Sequence, residues 1–318
     1  MRILITGGAG FIGSHLADYY LARNDDVVLL DNLSTGSRKN LEGAKSNCKL
    51  VDGDIRNPQI VNELIANSDL VLHMAAALGV STILNNPIES ISTNIHGSET
   101  VMLAAAKYKK RIIIASTSEI YGKNPKQPLN ENDDRVIGNP QNIRWSYSDA
   151  KAIEEATATA LYKSQGLKVT TVRFFNTVGP RQTGQYGMVV PRFIQSALSN
   201  EDIQVYGDGN QTRVFCHVSD AITAVVKLAD SDSTIGDVYN VGGEGEISIN
   251  GLAEQIISIT GAKSKINHIP YDQAYPAGFE DMQRRVPDTT KIRNTINWKP
   301  VKTLEDIIKD VSNFFSIK

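Results

Sequence analysis

The sequence predicts an α/β protein in which a doubly wound parallel sheet lies between helices, followed by a smaller C-terminal α/β domain. Two observations support this fold class. Short, continuous β-branched runs alternate with helical patterns through the first half of the chain, which is typical of strands buried on both faces. A glycine-rich turn also follows the first run directly and precedes a helical pattern, as in sheets that bind nucleotides.

The predicted elements follow this alternation. Six strands are predicted at Ile3–Thr6, Val27–Asp31, Lys49–Asp52, Leu70–His73, Ile112–Ser116 and Val169–Phe174. The helical patterns between them begin near Ile12, Pro58, Pro87 and Tyr147. Because parallel neighbours need long crossovers, each helix is expected to connect two strands of one sheet.

The regular alternation of strand and helix patterns ends after Gly179-Pro180. Turns are predicted at Gly207-Asp208-Gly209, Gly242-Gly243 and Tyr275-Pro276. We therefore expect a nucleotide-binding domain over residues 1–178 and a substrate domain over 179–318. Part of 211–241 is expected to return to the first domain, because Val238–Val241 has the pattern of another buried strand.

Composition excludes several classes of protein. The 318 residues are 41% hydrophobic and carry a net charge of −2, so a basic nucleic-acid binder or membrane-surface protein is not expected. Glycines interrupt the apolar N-terminal run before it reaches the length of a signal peptide or membrane span. The two cysteines, Cys48 and Cys216, are too few for a disulfide framework and favour a cytoplasmic location. The five histidines are widely separated, and no metal site is predicted.

The first motif with chemical meaning runs from Gly7 to Gly13, with glycines at 7, 10 and 13. Missing side chains let a diphosphate approach the backbone, and the amides at the start of the next helix attract its charge. An ordinary tight turn is the alternative. Asp31, at the end of the second strand, favours the nucleotide: a carboxylate there can bind the adenosine ribose and would repel a 2′-phosphate. NAD is therefore predicted over NADP.

The second motif is Tyr147-Ser148-Asp149-Ala150-Lys151. On a helix, residues four apart share a face, which places the lysine ammonium beside the phenol. We expect the positive charge to lower the pKa of Tyr147 from about 10 and so to produce a general base. If the nucleotide motif were absent, an ordinary surface pair of tyrosine and lysine would be the alternative.

The third motif, Ser116-Thr117-Ser118-Glu119, follows the end of a predicted strand. Ligands of open α/β sheets bind beyond the carboxyl ends of the strands. These polar groups suit a substrate hydroxyl and a catalytic acid or base, although serine and threonine are also common where strands leave a sheet.

Together these motifs resemble the extended branch of the short-chain dehydrogenase/reductase superfamily, which has a Rossmann sheet, and the resemblance covers essentially the whole chain. Further shared marks are Gly53-Asp54-Ile55, His73-Met74-Ala75-Ala76, Asn94 and Arg173-Phe174-Phe175-Asn176. The resemblance implies that Asp54 and Ile55 face adenine, that Asn176 meets the diphosphate of a nucleotide-sugar, and that Thr117 meets the hydroxyl being oxidised. The implied NAD-binding residues are Gly7, Gly10, Phe11, Ile12, Gly13, Asp31, Asn32, Asp54, Ile55, Ala75, Asn94, Tyr147 and Lys151.

A finer resemblance is to the UDP-glucuronate decarboxylases. Thr117-Ser118-Glu119, Arg144-Trp145-Ser146-Tyr147, and Phe279-Glu280-Asp281 through Arg285-Val286-Pro287-Asp288 are similar to motifs of that group. The resemblance implies catalytic roles for Thr117, Ser118, Glu119, Tyr147, Lys151 and Arg285. Substrate-binding roles are expected for Asn176, Arg192, Tyr206, Arg213 and Arg285, of which Arg285 could also serve as a diphosphate clamp.

In this reading Tyr147 deprotonates the hydroxyl on sugar carbon 4, and the ketone that forms lets the carboxylate on carbon 5 leave as carbon dioxide. A UDP-hexose 4-epimerase is the alternative, since it forms the same ketone. More remote alternatives are a non-catalytic NAD-binding scaffold and a simple alcohol dehydrogenase. The resemblance also suggests a homodimer through helices near Ser98–Tyr108 and Tyr147–Tyr162, whose alanine-rich faces allow close packing.

Overall fold

The fold is taken from a computed structural model that describes residues 1–43, 48–79, 86–184, 188–274, 280 and 282–316. The predicted turn at Tyr275-Pro276 and the motif residues Phe279 and Asp281 lie outside the described residues. Of the helices in these ranges, none is both long enough and apolar enough to cross a lipid bilayer.

A seven-stranded parallel sheet forms the centre of the molecule, in the order β11-β6-β5-β4-β1-β2-β3. Its strands are β1 (Arg2–Thr6), β2 (Asp26–Asp31), β3 (Cys48–Asp52), β4 (Leu70–His73), β5 (Arg111–Thr117), β6 (Lys168–Phe174) and β11 (Val238–Val241). The predicted doubly wound α/β class is confirmed, and each of the six predicted strands lies within one residue of its observed ends.

Eleven α-helices are found in the described residues. They are α1 (Phe11–Ala22), α2 (Pro58–Ala66), α3 (Pro87–Ser92), α4 (Ser98–Lys107), α5 (Ser146–Gln165), α6 (Val189–Leu198), α7 (Val218–Ala229), α8 (Ile249–Thr260), α9 (Tyr271–Ala274), α10 (Thr290–Ile296) and α11 (Leu304–Ser316). The four predicted helix starts agree within one residue.

Alternation along the strands explains why helices cover both faces. In β1, Ile3 and Ile5 join a core formed with α1 and α7, whereas Leu4 points to the other face and joins a core formed with α2, α4 and α5. All three side chains are at most 1% exposed. A strand whose every residue is buried reads as a continuous apolar run, which is the pattern seen in the sequence.

The C-terminal part contains three small sheets and a core of its own. The sheets pair β10 (Cys216–His217) with β7 (Thr177–Val178), β13 (Ile266–Ile269) with β8 (Ile203–Tyr206), and β9 (Thr212–Val214) with both β12 (Glu246–Ser248) and β14 (Arg284–Arg285). Helices α6, α8 and α11 enclose the third core. The chain crosses back between β10 and β12, because β11 pairs in parallel with β6 and α7 packs on α1.

Candidate active site

The site lies at the point where the strand order of the sheet reverses, between β1 and β4. Strands β1 and β4 are neighbours, and the chain leaves them toward opposite sides, so a crevice opens beyond their carboxyl ends. Gly7 follows β1 with a φ of +66°. A Cβ atom at Gly7 would lie 2.8 Å from the Ala75 Cα after β4, so only glycine fits between these two strand ends.

The start of α1 forms a cradle of the kind that a diphosphate needs. A Cβ atom at Gly13 would lie 2.1 Å from the Gly7 carbonyl oxygen, so the turn closes only around glycine. Gly10 is the N-cap of α1, and as a glycine it offers no side-chain oxygen to the first amides of the helix. Those amides and the helix dipole are available to an anion. The geometry fits the diphosphate of a dinucleotide such as NAD.

Asp31 ends β2 beside this cradle. One carboxylate oxygen accepts a hydrogen bond from the Ala9 amide at 2.9 Å, and the other accepts one from the Leu33 amide at 2.8 Å. Burial raises the pKa of Asp31, and the two backbone hydrogen bonds oppose that rise. The bonds fix the carboxylate at the edge of the crevice, where it would meet the 2′ position of an adenosine ribose.

One cleft of about 710 Å³ joins this nucleotide cradle to the predicted substrate side. Most of the predicted site residues line it: Gly7, Gly10, Phe11, Ile12, Gly13, Asp31, Asn32, Ile55, Ala75, Thr117, Ser118, Glu119, Tyr147, Asn176, Arg192, Tyr206, Arg213 and Arg285. A cleft of this size could enclose both a dinucleotide and part of a second ligand.

Three predicted site residues do not line the cleft. Asp54 forms an ion pair with Arg56 at 2.7 Å and accepts a hydrogen bond from Asn32 at 3.0 Å; Arg56 holds the pKa of Asp54 at about 2. Asn94 is fully buried and bonds both the amide and the carbonyl of Ala77, each at 2.9 Å. These contacts position the Asn32 side chain and the loop after β4. The third residue is Lys151.

Lys151 lies on α5 and is 1% exposed. Its ammonium donates hydrogen bonds to the Ala115 carbonyl at 2.8 Å and to the Glu154 carboxylate at 2.7 Å. The lysine is therefore anchored between β5 and its own helix.

Tyr147 lies one turn before Lys151, in hydrogen-bond contact with Thr117. Burial raises the pKa of the Tyr147 phenol, Glu154 and Glu119 raise it further, and the Thr117 hydrogen bond opposes them. The expectation of a lowered pKa for Tyr147 is wrong for this arrangement, because burial, the largest effect, raises the pKa and the negative charges of Glu154 and Glu119 add to the rise.

Glu119 lies in a short turn of 3₁₀ helix after β5 and is held between two guanidinium groups. Arg144 Nη2 is 2.5 Å from one carboxylate oxygen, and Arg285 Nη1 is 2.5 Å from the other. Burial would raise the pKa of Glu119, but the two arginines lower it to about 2. Glu119 is consequently ionised at neutral pH and accepts hydrogen bonds there.

Arg285 also contacts Asn176, the residue that is expected to meet the diphosphate. Its Nη2 donates to Asn176 Oδ1 at 2.9 Å, and Asn176 Nδ2 donates to the Val214 carbonyl at 2.9 Å. On the same side, the Arg192 guanidinium stacks over the Tyr206 ring, 4.0 Å from its centroid. Arg213 is 6% exposed and donates to the Thr212 carbonyl at 2.8 Å. This end of the cleft therefore contains three arginines suited to an anionic ligand.

Two residues of the site had no predicted role. Arg144 belongs to a motif found in the sequence but had no assigned role, and in the structure it forms an ion pair with Glu119. Glu154 could have been found from its i, i+3 spacing to Lys151, which is a usual spacing for an ion pair on a helix. Within the part of the chain that the structure describes, no three histidine, cysteine, aspartate or glutamate side chains are grouped to hold a metal ion.

Comparison with known proteins places the chain in a family. The family model described as GDP-mannose 4,6 dehydratase matches residues 4–311. The chain belongs to this family, within the extended short-chain dehydrogenases/reductases. The UDP-N-acetyl-alpha-D-glucosaminuronate decarboxylase of Bacillus cytotoxicus is 43% identical over 99% of this chain and 97% of that protein. The UDP-glucuronic acid decarboxylase 1 of Danio rerio is 35% identical over 99% of this chain and 72% of that protein.

A solved structure agrees over its full length. It is a UDP-glucuronic acid 4-epimerase from Bacillus cereus in complex with UDP-glucuronic acid and NAD. The TM-score is 0.89 at 25% identity, and the match covers 100% of this chain and 99% of that one. Decarboxylases and a 4-epimerase are thus both similar to this chain.

Proposed function

We propose that this protein is an NAD-dependent decarboxylase of a UDP-linked hexuronate, with UDP-glucuronate as the substrate. The observation that carries the proposal is the convergence of Arg144 and Arg285 on Glu119 at the carboxyl end of β5. It provides two cations next to Tyr147, where the carboxylate on carbon 5 of a uronate would have to be held. The names of the two decarboxylases that are 43% and 35% identical support the same reaction.

When bound in the glycine cradle, NAD would supply the reversible oxidant that interconverts a hydroxyl and a ketone on carbon 4. Asp31 and the first amides of α1 would hold and orient it. Tyr147 would accept the proton of the carbon 4 hydroxyl, while Thr117, bonded to Tyr147, would orient that hydroxyl. Oxidation of carbon 4 by NAD, with the hydroxyl proton taken by Tyr147, would leave the sugar as a β-keto acid.

Loss of carbon dioxide from a β-keto acid needs no further oxidant. The bond from carbon 5 to the carboxyl carbon breaks, and its electron pair forms an enolate with carbon 4. Carbon 5 then takes up a proton in place of the carboxyl group. Arg144 and Arg285 would bind the carboxylate before it leaves, and Glu119, ionised between them, would compete for the same cations. Because Glu119 has a pKa of about 2, it cannot supply the returning proton while both arginines hold it.

UDP-N-acetylglucosaminuronate is a second candidate substrate. It differs from UDP-glucuronate at carbon 2, and the relative that is 43% identical carries it in its name. The carboxylate chemistry described above is the same for both sugars.

One experiment tests the reaction class. The protein is incubated with NAD and with UDP-glucuronate, UDP-N-acetylglucosaminuronate, UDP-glucose or UDP-galactose, and the products are analysed by mass spectrometry. Loss of carbon dioxide from either uronate supports the proposal. A uronate product of unchanged mass but altered chromatographic position identifies a 4-epimerase, and turnover of UDP-glucose alone rejects the decarboxylase.

We further propose a cytoplasmic homodimer. Both described cysteines are free, as suits a reducing compartment. Helices α4 and α5 pack side by side and present Leu103 (46% exposed) and Ile153 (47% exposed) to the outside. A Leu103→Arg variant should shift the protein toward a monomer in analytical ultracentrifugation, and an unchanged monomeric mass in both forms would reject the dimer.

A further inference from the structure

Glu154 is a carboxylate buried directly behind the predicted catalytic lysine. Its side chain and that of Lys151 are each 1% exposed, and Glu154 Oε2 lies 2.7 Å from Lys151 Nζ. Carboxylates are seldom buried to this degree unless they are paired. The pair is therefore part of the interior of the site and differs from the more exposed pair that Asp149, on the same helix, forms with Arg135.

The polar chain continues from Glu154 into the sheet. Ser98 hydrogen-bonds to Glu154, and its Oγ is 2.9 Å from His73 Nε2. His73 Nδ1 is in turn 2.7 Å from Thr6 Oγ1. Burial, with a smaller contribution from Lys151, lowers the pKa of His73 to about 3, so the imidazole is neutral. The chain connects the catalytic helix to the end of β1, one residue before the glycine turn.

We propose that Glu154 is a positioning residue: its carboxylate anchors the Lys151 ammonium one turn beyond Tyr147 and places a fixed negative charge near the phenol. This inference rests on the proposed function in one respect, namely that Tyr147 is the base. It does not depend on which nucleotide-sugar is bound.

Among the charges around Tyr147, Glu154 makes the largest contribution to the raised pKa of the phenol. Glu155, next along α5, is neutralised by Arg173 at 2.7 Å. His73 faces Glu154 from β4 at 3.9 Å and is neutral. Burial raises the pKa of Glu154, and the ammonium of Lys151 opposes that rise.

On the other side of the phenol, Glu119 faces Tyr147 from the turn after β5, but Arg144 and Arg285 already neutralise it. Removing the charge of Glu154 should therefore lower the pKa of Tyr147.

The first test is the pH profile of kcat/KM with whichever nucleotide-sugar the wild type turns over. In Glu154→Gln the acidic limb should move to lower pH by about one unit or more. Glu154→Asp keeps the charge but draws it back by one methylene, so a smaller shift in the same direction is expected. Asp149→Asn is the matched control, since Asp149 lies on the same helix but is exposed and paired with Arg135; its profile should equal that of the wild type.

The second test needs neither turnover nor substrate. Tyrosinate absorbance is titrated in the wild type and in Glu154→Gln, each against the same protein with Tyr147→Phe, so that the difference reports Tyr147 alone. The Tyr147 signal should appear at lower pH in Glu154→Gln. Coincident titrations in folded proteins would overturn the inference, as would a Glu154→Asp profile that coincides with the wild type. Failure of the decarboxylase proposal would leave this titration unaffected.

Discussion

Arg285 and Glu119 are 166 residues apart in the chain, yet Arg285 Nη1 lies 2.5 Å from Glu119 Oε1. The contact joins the turn after β5 in the Rossmann sheet to β14 in the C-terminal part. The motif that contains Glu119 and the motif that contains Arg285 therefore meet in one charged cluster.

Replacing Arg285 by alanine tests whether this arginine serves the reacting carboxylate. We expect kcat/KM for UDP-glucuronate to fall by about 10²-fold or more, as when one partner of a buried charge pair is removed. The Kd of UDP, measured by calorimetry, should change far less. Arg284→Ala is the control, because Arg284 is 53% exposed and pairs with Glu246 at the surface. If UDP and every UDP-sugar were weakened alike, Arg285 would be a diphosphate clamp.

The variant Tyr147→Phe removes the ionisable oxygen and keeps the ring that packs in the site. Turnover should fall by about 10²- to 10⁴-fold, the usual value for lost proton transfer. The Kd of NAD and the thermal unfolding midpoint should stay close to those of the wild type. Tyr162→Phe, at the exposed end of the same helix, should be fully active. Wild-type activity of Tyr147→Phe would show that another group is the base.

Asp31 should select the cofactor. A 2′-phosphate would lie close to a carboxylate that the amides of Ala9 and Leu33 hold in place, and neither charge could move away. NADP is expected to bind at least about tenfold more weakly than NAD. Calorimetric titration with both cofactors measures this ratio, and equal affinities would contradict the assignment.

Glu119 should give the stability a defined pH dependence. Its pKa is about 2 in the folded protein against 4.5 ordinarily, so its ionised form favours the folded state above pH 4.5. This stabilisation is lost as the pH falls from 4.5 through about 2. The difference in free energy of unfolding between the wild type and Glu119→Gln should therefore be full at pH 7 and shrink below pH 4.5.

Urea unfolding at a series of pH values measures that difference. Glu305→Gln serves as the control, because Glu305 and Lys309 form an exposed pair with both side chains 56% exposed. Such a pair contributes little and is weakened by salt. A Glu119→Gln difference that stays constant from pH 7 to pH 3 would contradict the ionised clamp.

Prediction from the sequence succeeded where the information is local. Runs such as Leu70–Leu72 are apolar at every position because both faces of the strand are buried, and the spacing of Gly7, Gly10 and Gly13 reflects the backbone geometry of one turn. The roles proposed for individual site residues remain predictions. Long-range pairing was not accessible in the same way, since no local pattern shows that Arg144 and Arg285 meet at Glu119.

The error concerning Tyr147 has the same origin. Helical periodicity places Lys151 on the same face as the phenol, and from this alone a lowered pKa follows. The depth of burial of Tyr147, which raises the pKa, is a property of the assembled cleft. A sequence pattern gives the sign of a neighbouring charge, whereas the depth of burial around that charge comes only from the fold.

The place of β11 has a consequence for how the chain is made. Strand β6 is complete at Phe174, but its partner β11 begins at Val238 and emerges from the ribosome only after β7 to β10 and helix α7. During that interval the backbone edge of β6 that later pairs with β11 is unpaired, and other strands can add to edges of this kind. Fragments that stop before Val241 should therefore accumulate in aggregates, because no later segment can cover that edge.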